Sequence, residues 1–247
     1  MNTNAMINQE RSNRSIIRSH LHTEIVEYLV DDIRKGIYKS GQELPSGEEL
    51  MAEFGVGRSS IREALTMLAR MGLIEVRPGQ RAKVRKPTVK PILGAMSETM
   101  KIYMGSKEGY QELSEFRNLF ECMIVREVSR RIKKEQLIWM ENSIKEQEQA
   151  VDDIKKFAEL DVAFHRYLSE CLNNTLLESF SESMTDWLLD QRKKSLQAPN
   201  QLQNALLDHK SIYAGLKKHD PDKAEKAMRE HLYRVEQAYS SVVSFKK

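Results

Sequence analysis

Four residues in the second half of the chain, Asp161, His165, His209 and His231, are of the types that hold a divalent cation. Asp161 and His165 stand four residues apart, so a helix running through them sets a carboxylate and an imidazole on one face. The stretch 153–172 carries Phe157, Leu160, Phe164, Leu168 and Leu172 on that same face, which turns the pair inward. In 201–218 the apolar stripe is Leu202, Leu206, Ile212, Tyr213 and Leu216, and His209 stands where another apolar side chain is due. His231 interrupts the stripe Ala224, Ala227, Met228, Leu232 and Val235 of 221–242 in the same manner.

One inward histidine is ordinarily a core residue with a hydrogen-bond partner. Three imidazoles and a carboxylate are harder to bury, because each unsatisfied polar group costs roughly 1–3 kcal/mol. A divalent ion satisfies all four together. The nitrogen and oxygen donors suit Zn2+, Ni2+ or Mn2+, and ligand type does not choose among them; zinc is the expectation. Such an ion has three uses: to receive a carboxylate ligand, to activate water for hydrolysis, or to hold a dimerisation bundle together. No clear general base accompanies the ligands, which weighs against the hydrolase.

These residues need a bundle to bring them together. Helices are expected over 92–104, 110–131, 134–150, 153–172, 174–193, 201–218 and 221–242, separated by Gly109, Asn173-Asn174, Pro199-Asn200 and Asp220-Pro221. No strand pattern competes, so this half reads as an antiparallel all-α bundle. With 247 residues the chain has room for a second domain. Its 40% hydrophobic and 30% charged residues, with 11 Gly and 6 Pro, suit a helix-rich globular protein. No run of eighteen apolar residues occurs and Met1 to Arg18 is polar, so a cytoplasmic chain is expected. Cys122 and Cys171 lie in no C-x-x-C spacing and read as core residues.

The first half differs in charge. Residues 1–90 hold 15 Lys/Arg against 11 Asp/Glu, whereas residues 91–247 hold 24 against 25. Arg77 to Lys90 contains six basic residues and no acidic one, which favours a polyanion. A helix is expected over 23–35, ending at Gly36, and a second is opened by Ser46 with Glu49 completing a capping box. After Gly55-Val56-Gly57 a third helix begins with Arg58. Ile61, Leu65 and Leu68 turn its apolar face inward, leaving Arg58, Ser59 and Arg62 outward at its start. That is the arrangement a recognition helix needs, with arginine forks for guanine edges and hydroxyls for phosphates. Leu73 to Arg77, a Pro78-Gly79 turn and Arg81 to Arg85 then read as a basic β-hairpin, the wing of a winged helix-turn-helix.

The segments Gly41 to Ser46 and Val56 to Leu65 match Gly-x-x-Leu-Pro-Ser and Val-x-Arg-x-x-(Val/Ile)-Arg-x-Ala-Leu, and so resemble the GntR family of transcription regulators. The resemblance implies DNA contacts at Ser46, Arg58, Ser59, Ser60 and Arg62, and at Gly79 on the wing tip. Gly47 departs from the family's acidic residue, and Gln80-Arg81 departs from its Gly-x-Gly wing; Arg81 compensates if it enters a narrow minor groove. The set Asp161, His165, His209 and His231 is similar to that of the FadR-type branch, with its FCD-type C-terminal domain. There the implied metal sits in the bundle with coordination positions open to an effector carboxylate. Arg117 matches an arginine the branch places near the effector, although an ion pair with Glu121, one turn on, accounts for it equally well.

Gly79 to Val84, and Asp186 to Leu189 followed by Arg192, resemble sialic-acid-responsive members of the branch, which implies N-acetylneuraminate as effector and Arg192 among its contacts. Another sugar or organic acid is the alternative. The whole reading is a mainly α protein. It has an N-terminal arm (1–19), a winged helix-turn-helix (20–87), a linker (88–91) and a helical effector-binding and dimerisation domain (92–242). Its expected partners are double-stranded operator DNA, a carboxylate effector and a second copy, with no membrane. It is expected to be a regulator, a repressor rather than an activator, and not an enzyme.

Overall fold

In the computed structural model, residues 21–243 are described; the arm expected at 1–19 lies outside them. The described residues form two units, divided between Ile92 and Leu93.

In the first unit, α1 covers residues 21–35. Ile25, Val26 and Leu29 are its buried residues, whereas Tyr28 is 63% exposed, so Leu29 carries the inward face at that turn. α2 (Gly47–Phe54) starts with the expected capping box: Ser46 Oγ accepts from the Glu49 amide at 3.2 Å, and the Glu49 carboxylate accepts from the Ser46 amide at 2.6 Å. α3 (Arg58–Arg70) buries Ile61, Ala64 and Leu68, with Leu65 half-buried. β1 (Ile74–Glu75) pairs antiparallel with β2 (Lys83–Val84), Ile74 opposite Val84. The strands are shorter than expected because the loop before α2 takes part of the pairing. Leu44 N–H donates to Ala82 O at 2.7 Å and Val84 N–H to Gln42 O at 2.8 Å, which pins the wing to the helical core.

The second unit is helical throughout. α4 (Lys90–Ala95) and α5 (Ser97–Tyr103) replace the single helix expected over 92–104, with the break at Met96. α4 also takes in Lys90 and Pro91 of the expected linker. α6 (Lys107–Arg131) starts at the Ser106 cap and runs through Gly109, the residue read above as a separator. A Cβ at Gly109 would lie 2.2 Å from the Tyr103 carbonyl oxygen, so this glycine serves a close approach of chain to chain. α7 (Lys134–Gln149) and α8 (Ile154–Glu170) follow as expected. α9 (Thr175–Trp187) and α10 (Leu189–Ser195) divide at Leu188, whose ψ of 5° departs from the helical value near −42°. The buried residues Met184, Trp187, Leu188, Gln191, Arg192 and Ser195 keep helical spacing across this break, which is why periodicity predicted one helix over 174–193.

α11 (Gln201–Lys217) and α12 (Pro221–Val242) pack closely on each other, and α12 also packs on α6. A Cβ at Gly215 would meet the Ala224 Cα at 2.7 Å, so a larger residue would pry apart two helices that carry His209 and His231. α8 packs against α7 and α9, and α7 against α11. Phe157, Phe164, Met140, Ile212, Leu216 and Met228 fill the core of the unit. Among the described residues, no helix is long and apolar enough to cross a membrane.

Candidate metal centre and nucleic-acid interface

α8, α11 and α12 bring Asp161, His165, His209 and His231 together, all buried, with one donor atom from each within 4.8 Å of every other. His165 Nε2 lies 3.2 Å from His231 Nε2, and His209 Nε2 lies 3.4 Å from Asp161 Oδ1. Metal bonds of about 2.0–2.2 Å set neighbouring donors about 3–3.4 Å apart, which these two spacings match.

The other ring nitrogens decide how the site is protonated. His165 Nδ1 donates to Glu121 Oε2 at 2.5 Å, His209 Nδ1 to Gln147 Oε1 at 2.6 Å, and His231 Nδ1 to Asp208 Oδ2 at 3.2 Å. Each acceptor assigns the proton to Nδ1, leaving the Nε2 lone pair free. Three Nε2 atoms and one carboxylate oxygen therefore converge. His209 Nε2 is fully buried and has no hydrogen-bond partner. A divalent cation is the species such a set lacks, so the residues fit a metal.

Electrostatics prepare the same state. Burial lowers the His165 pKa despite the opposing Glu121 carboxylate, and burial with the neighbouring His231 holds His209 well below the usual imidazole range. Both are neutral, as ligands must be. Burial opposes charge on Asp161, but the Arg192 guanidinium outweighs it and keeps the carboxyl ionised. Glu121 is held ionised against its burial by Arg117 and His165, and Asp208 against its burial by His231 and Arg234.

A second layer thus surrounds the donors, drawn from α6, α7, α10, α11 and α12. Arg117 Nε donates to Glu121 Oε1 at 2.6 Å, and Arg234 Nε to Asp208 Oδ2 at 2.9 Å. Arg192 donates to Asp161 Oδ2, leaving Oδ1 on the histidine side, while its buried Nε has no partner. The two arginines expected at an effector are thus both engaged within the helical unit, Arg117 in the ion pair with Glu121 and Arg192 with Asp161. Gln147, Asp208 and Arg234 escaped the sequence reading. The available signal for Gln147 was its place on the inward face of α7 with Met140, Ser143 and Ile144.

Replacing Gln147 with Leu removes the acceptor that fixes the His209 tautomer while leaving an apolar side chain of similar size. Metal affinity is expected to fall about 10–100-fold, measured by competition with a chromophoric chelator, with the helical circular dichroism unchanged. Wild-type affinity in this variant would exclude Gln147 from the site.

In the first unit Arg58, Ser59 and Arg62 are exposed at the start of α3, and Ser60 is half-buried. α3 has no side-chain cap, and the Ser60 amide donates to the Gly57 carbonyl at 3.1 Å. Ser46 is occupied in capping α2. Gly79 adopts φ +72° at the hairpin turn, and Arg81 stands exposed beside it, 3.5 Å from Glu49 in a surface pair that holds it weakly. A groove of about 600 Å3 runs along the wing, lined by Arg77, Arg81, Lys83, Arg85, Lys86 and Lys90 together with Glu43 and Glu75.

Comparison with known proteins gives the family of the chain. Residues 21–84 match the model of bacterial regulatory proteins of the gntR family, and residues 112–234 match the FCD domain. The chain is 31% identical over 247 residues to the HTH-type transcriptional repressor NanR of Klebsiella aerogenes, covering 99% of this chain and 95% of that protein. The chain belongs to the GntR family and carries an FCD domain. The Edwardsiella tarda NanR is 32% identical, over 94% of this chain and 90% of its own length. Among solved structures, a Streptococcus agalactiae GntR protein superposes with a TM-score of 0.61 at 26% identity, covering 87% of this chain and 99% of that one. Escherichia coli McbR/YncC shares the fold, with a TM-score of 0.51 at 18% identity. The regulator is therefore not an enzyme, and the hydrolase reading of the four ligands is set aside.

Proposed function

We infer that the regulator is a metabolite-responsive repressor, with a divalent ion, zinc in the first instance, held by Asp161, His165, His209 and His231. The carrying observation is that four buried donor atoms converge in the bundle, each residue braced by its own outer partner. An ion held there by Asp161, His165, His209 and His231 would offer coordination positions to a carboxylate effector. Arg192, whose Nε is unpartnered, and Arg117 on α6 would then bind the effector's oxygens. N-acetylneuraminate is the effector of choice, supported by the wing segment Gly79 to Val84 and by Asp186 to Leu189 with Arg192. Repression is supported by the names of the relatives.

The regulator acts as a cytoplasmic homodimer on double-stranded operator DNA. Ser46, Arg58, Ser59, Ser60, Arg62, Gly79 and Arg81 form the DNA surface, and effector binding shifts the spacing of two recognition helices. The test is an operator fragment bound by zinc-loaded protein and titrated with N-acetylneuraminate and a panel of sugar and organic acids. Release by N-acetylneuraminate, abolished by chelation of the metal, is expected. Release by another acid alone would reassign the effector. Operator affinity indifferent to every acid would overturn the sensor.

A further inference from the structure

Away from the metal donors, two buried amide side chains each carry an unsatisfied atom. Gln191 Oε1 and Gln201 Nε2 have no hydrogen-bond partner among the described residues, and both side chains are more than nine-tenths buried. Gln191 Nε2 meets the Met104 sulfur at 4.0 Å, a weak acceptor. Buried amide atoms left in this way are costly unless a group from outside the chain pairs with them.

Helix register places these amides. α11 and α12 run antiparallel, with Gly215 against Ala224 and Asp208 against His231 and Arg234. Seven residues further along both, Gln201 comes level with Ala238 and Tyr239. α6 and α12 are antiparallel as well, since Cys122 meets Glu225 and Asn118 meets Arg229. The same register sets Arg117 level with His231, and it brings the Tyr110 ring to 4.5 Å from that of Tyr239 between centroids. Two helical turns, about 10.5 Å, therefore separate the level of Arg117, Asp208 and His231 from a level that holds Tyr110, Gln201 and Tyr239. A seven-residue step returns a helix to the same face within about 20°, so Tyr110 shares the inward face of Arg117, and Gln201 that of Asp208. α10 borders this level: it packs on α12, and its Asp190, next to Gln191, acts on the Tyr239 hydroxyl.

The two levels differ in charge. Around the donors stand Asp161, Glu121 and Asp208 with Arg117 and Arg192. The other level has two amides and two phenols, and burial raises both phenol pKa values, to about 12 at Tyr110, so all four groups are neutral. We propose that Gln191 and Gln201, with Tyr110 and Tyr239, form a neutral polar subsite for the far end of the effector, which is an acid bearing hydroxyl or amide groups about 10 Å from its carboxylate. The proposal rests on the carboxylate-sensor reading above and names the class of acid. A hydroxyl would donate to Gln191 Oε1, and a hydroxyl or carbonyl oxygen would accept from Gln201 Nε2. An alkyl acid would leave both amides unpaired, and a short tricarboxylate would not span the two levels.

The test titrates zinc-loaded full-length protein by calorimetry with N-acetylneuraminate, citrate and 2-oxononanoate, a nine-carbon keto acid whose tail has no hydroxyl or amide. Wild type is expected to bind N-acetylneuraminate at least about 100-fold more tightly than either of the others, because a site built to hydrogen-bond rejects a ligand that leaves its polar groups unpaired. Gln191→Leu and Gln201→Leu should each weaken N-acetylneuraminate by about tenfold and strengthen 2-oxononanoate. Zinc affinity and helical circular dichroism should stay unchanged, whereas a purely structural role would lose both and leave the preference between the two acids as it was. Wild type that binds citrate or 2-oxononanoate as tightly as N-acetylneuraminate overturns the subsite and leaves the sensor standing, and so does either variant that binds N-acetylneuraminate as wild type does. If a variant fails to fold, the wild-type comparison decides. Zinc-loaded wild type that binds none of the three acids overturns the sensor reading and the subsite with it.

Discussion

Purified His209→Ala protein is expected to carry no stoichiometric divalent ion, with affinity lowered by at least the 100-fold at the top of the range for losing an outer partner. His209 is the strongest choice among the ligands. It is fully buried, its Nε2 has no other partner, and its ring stacks on Phe164 at 4.1 Å, so it has no alternative position to adopt. The consequence reaches stability. An ion present at about 100 times its dissociation constant stabilises the folded state by about 2.7 kcal/mol. In a helical unit of this size that is roughly 5–10 °C in Tm. Wild-type protein should therefore gain that much on adding zinc, and the variant should gain nothing. Operator binding without effector should persist in the variant, because the helix-turn-helix has its own core around Leu29, Leu50 and Leu68. Metal content by inductively coupled plasma spectrometry and a zinc-dependent melt check this together. A variant that keeps one ion per chain would remove His209 from the ligand set.

The second large effect is expected at the other end of the chain. Arg62→Ala should lower affinity for the specific operator on the order of 30- to 10⁴-fold, since a bidentate arginine contributes about 1–3 kcal/mol at each of two half-sites. Arg62 is exposed on the first turns of α3 while Ile61 beside it is buried, so truncating one leaves the packing of the other untouched. Non-specific binding should change far less. It depends on the count of phosphate contacts, which the log–log salt slope reads at about −0.9 per contact. Charge removal at Arg85 or Lys86 on the wing groove should flatten that slope with little change in sequence preference. Gel-shift titrations on operator and scrambled fragments at several salt concentrations separate the two effects. Equal losses on both fragments would place Arg62 on the phosphate backbone.

The recognition helix could be read from the sequence because its signals are local. Ser46 and Glu49 close a capping box three residues apart, and Ile61 and Leu68 recur at the period of one helix face. The wing was read as longer strands than it forms, since its pairing is shared with the loop of Gly41 to Leu44, some forty residues earlier. The two divided helices, at Met96 and Leu188, were read as continuous for a related reason. A break that preserves the buried face leaves no trace in the spacing of apolar residues.

The metal donors themselves were legible. A polar residue in an apolar stripe is visible without coordinates, and Asp161, His165, His209 and His231 each interrupt one. Of the second layer only the Arg117–Glu121 ion pair, one helical turn apart, was. Glu121 lies 44 residues from His165, Gln147 62 residues from His209, and Arg192 31 residues from Asp161. Sequence alone determined which stretches are helical, which face of each is turned inward and which residue types wait there. Only the packing of α6, α7 and α10 around α8, α11 and α12 decided what each imidazole and carboxylate touches. Periodicity encodes direction relative to a helix axis, while the partners of a buried polar atom depend on how separate helices are rotated and set against one another.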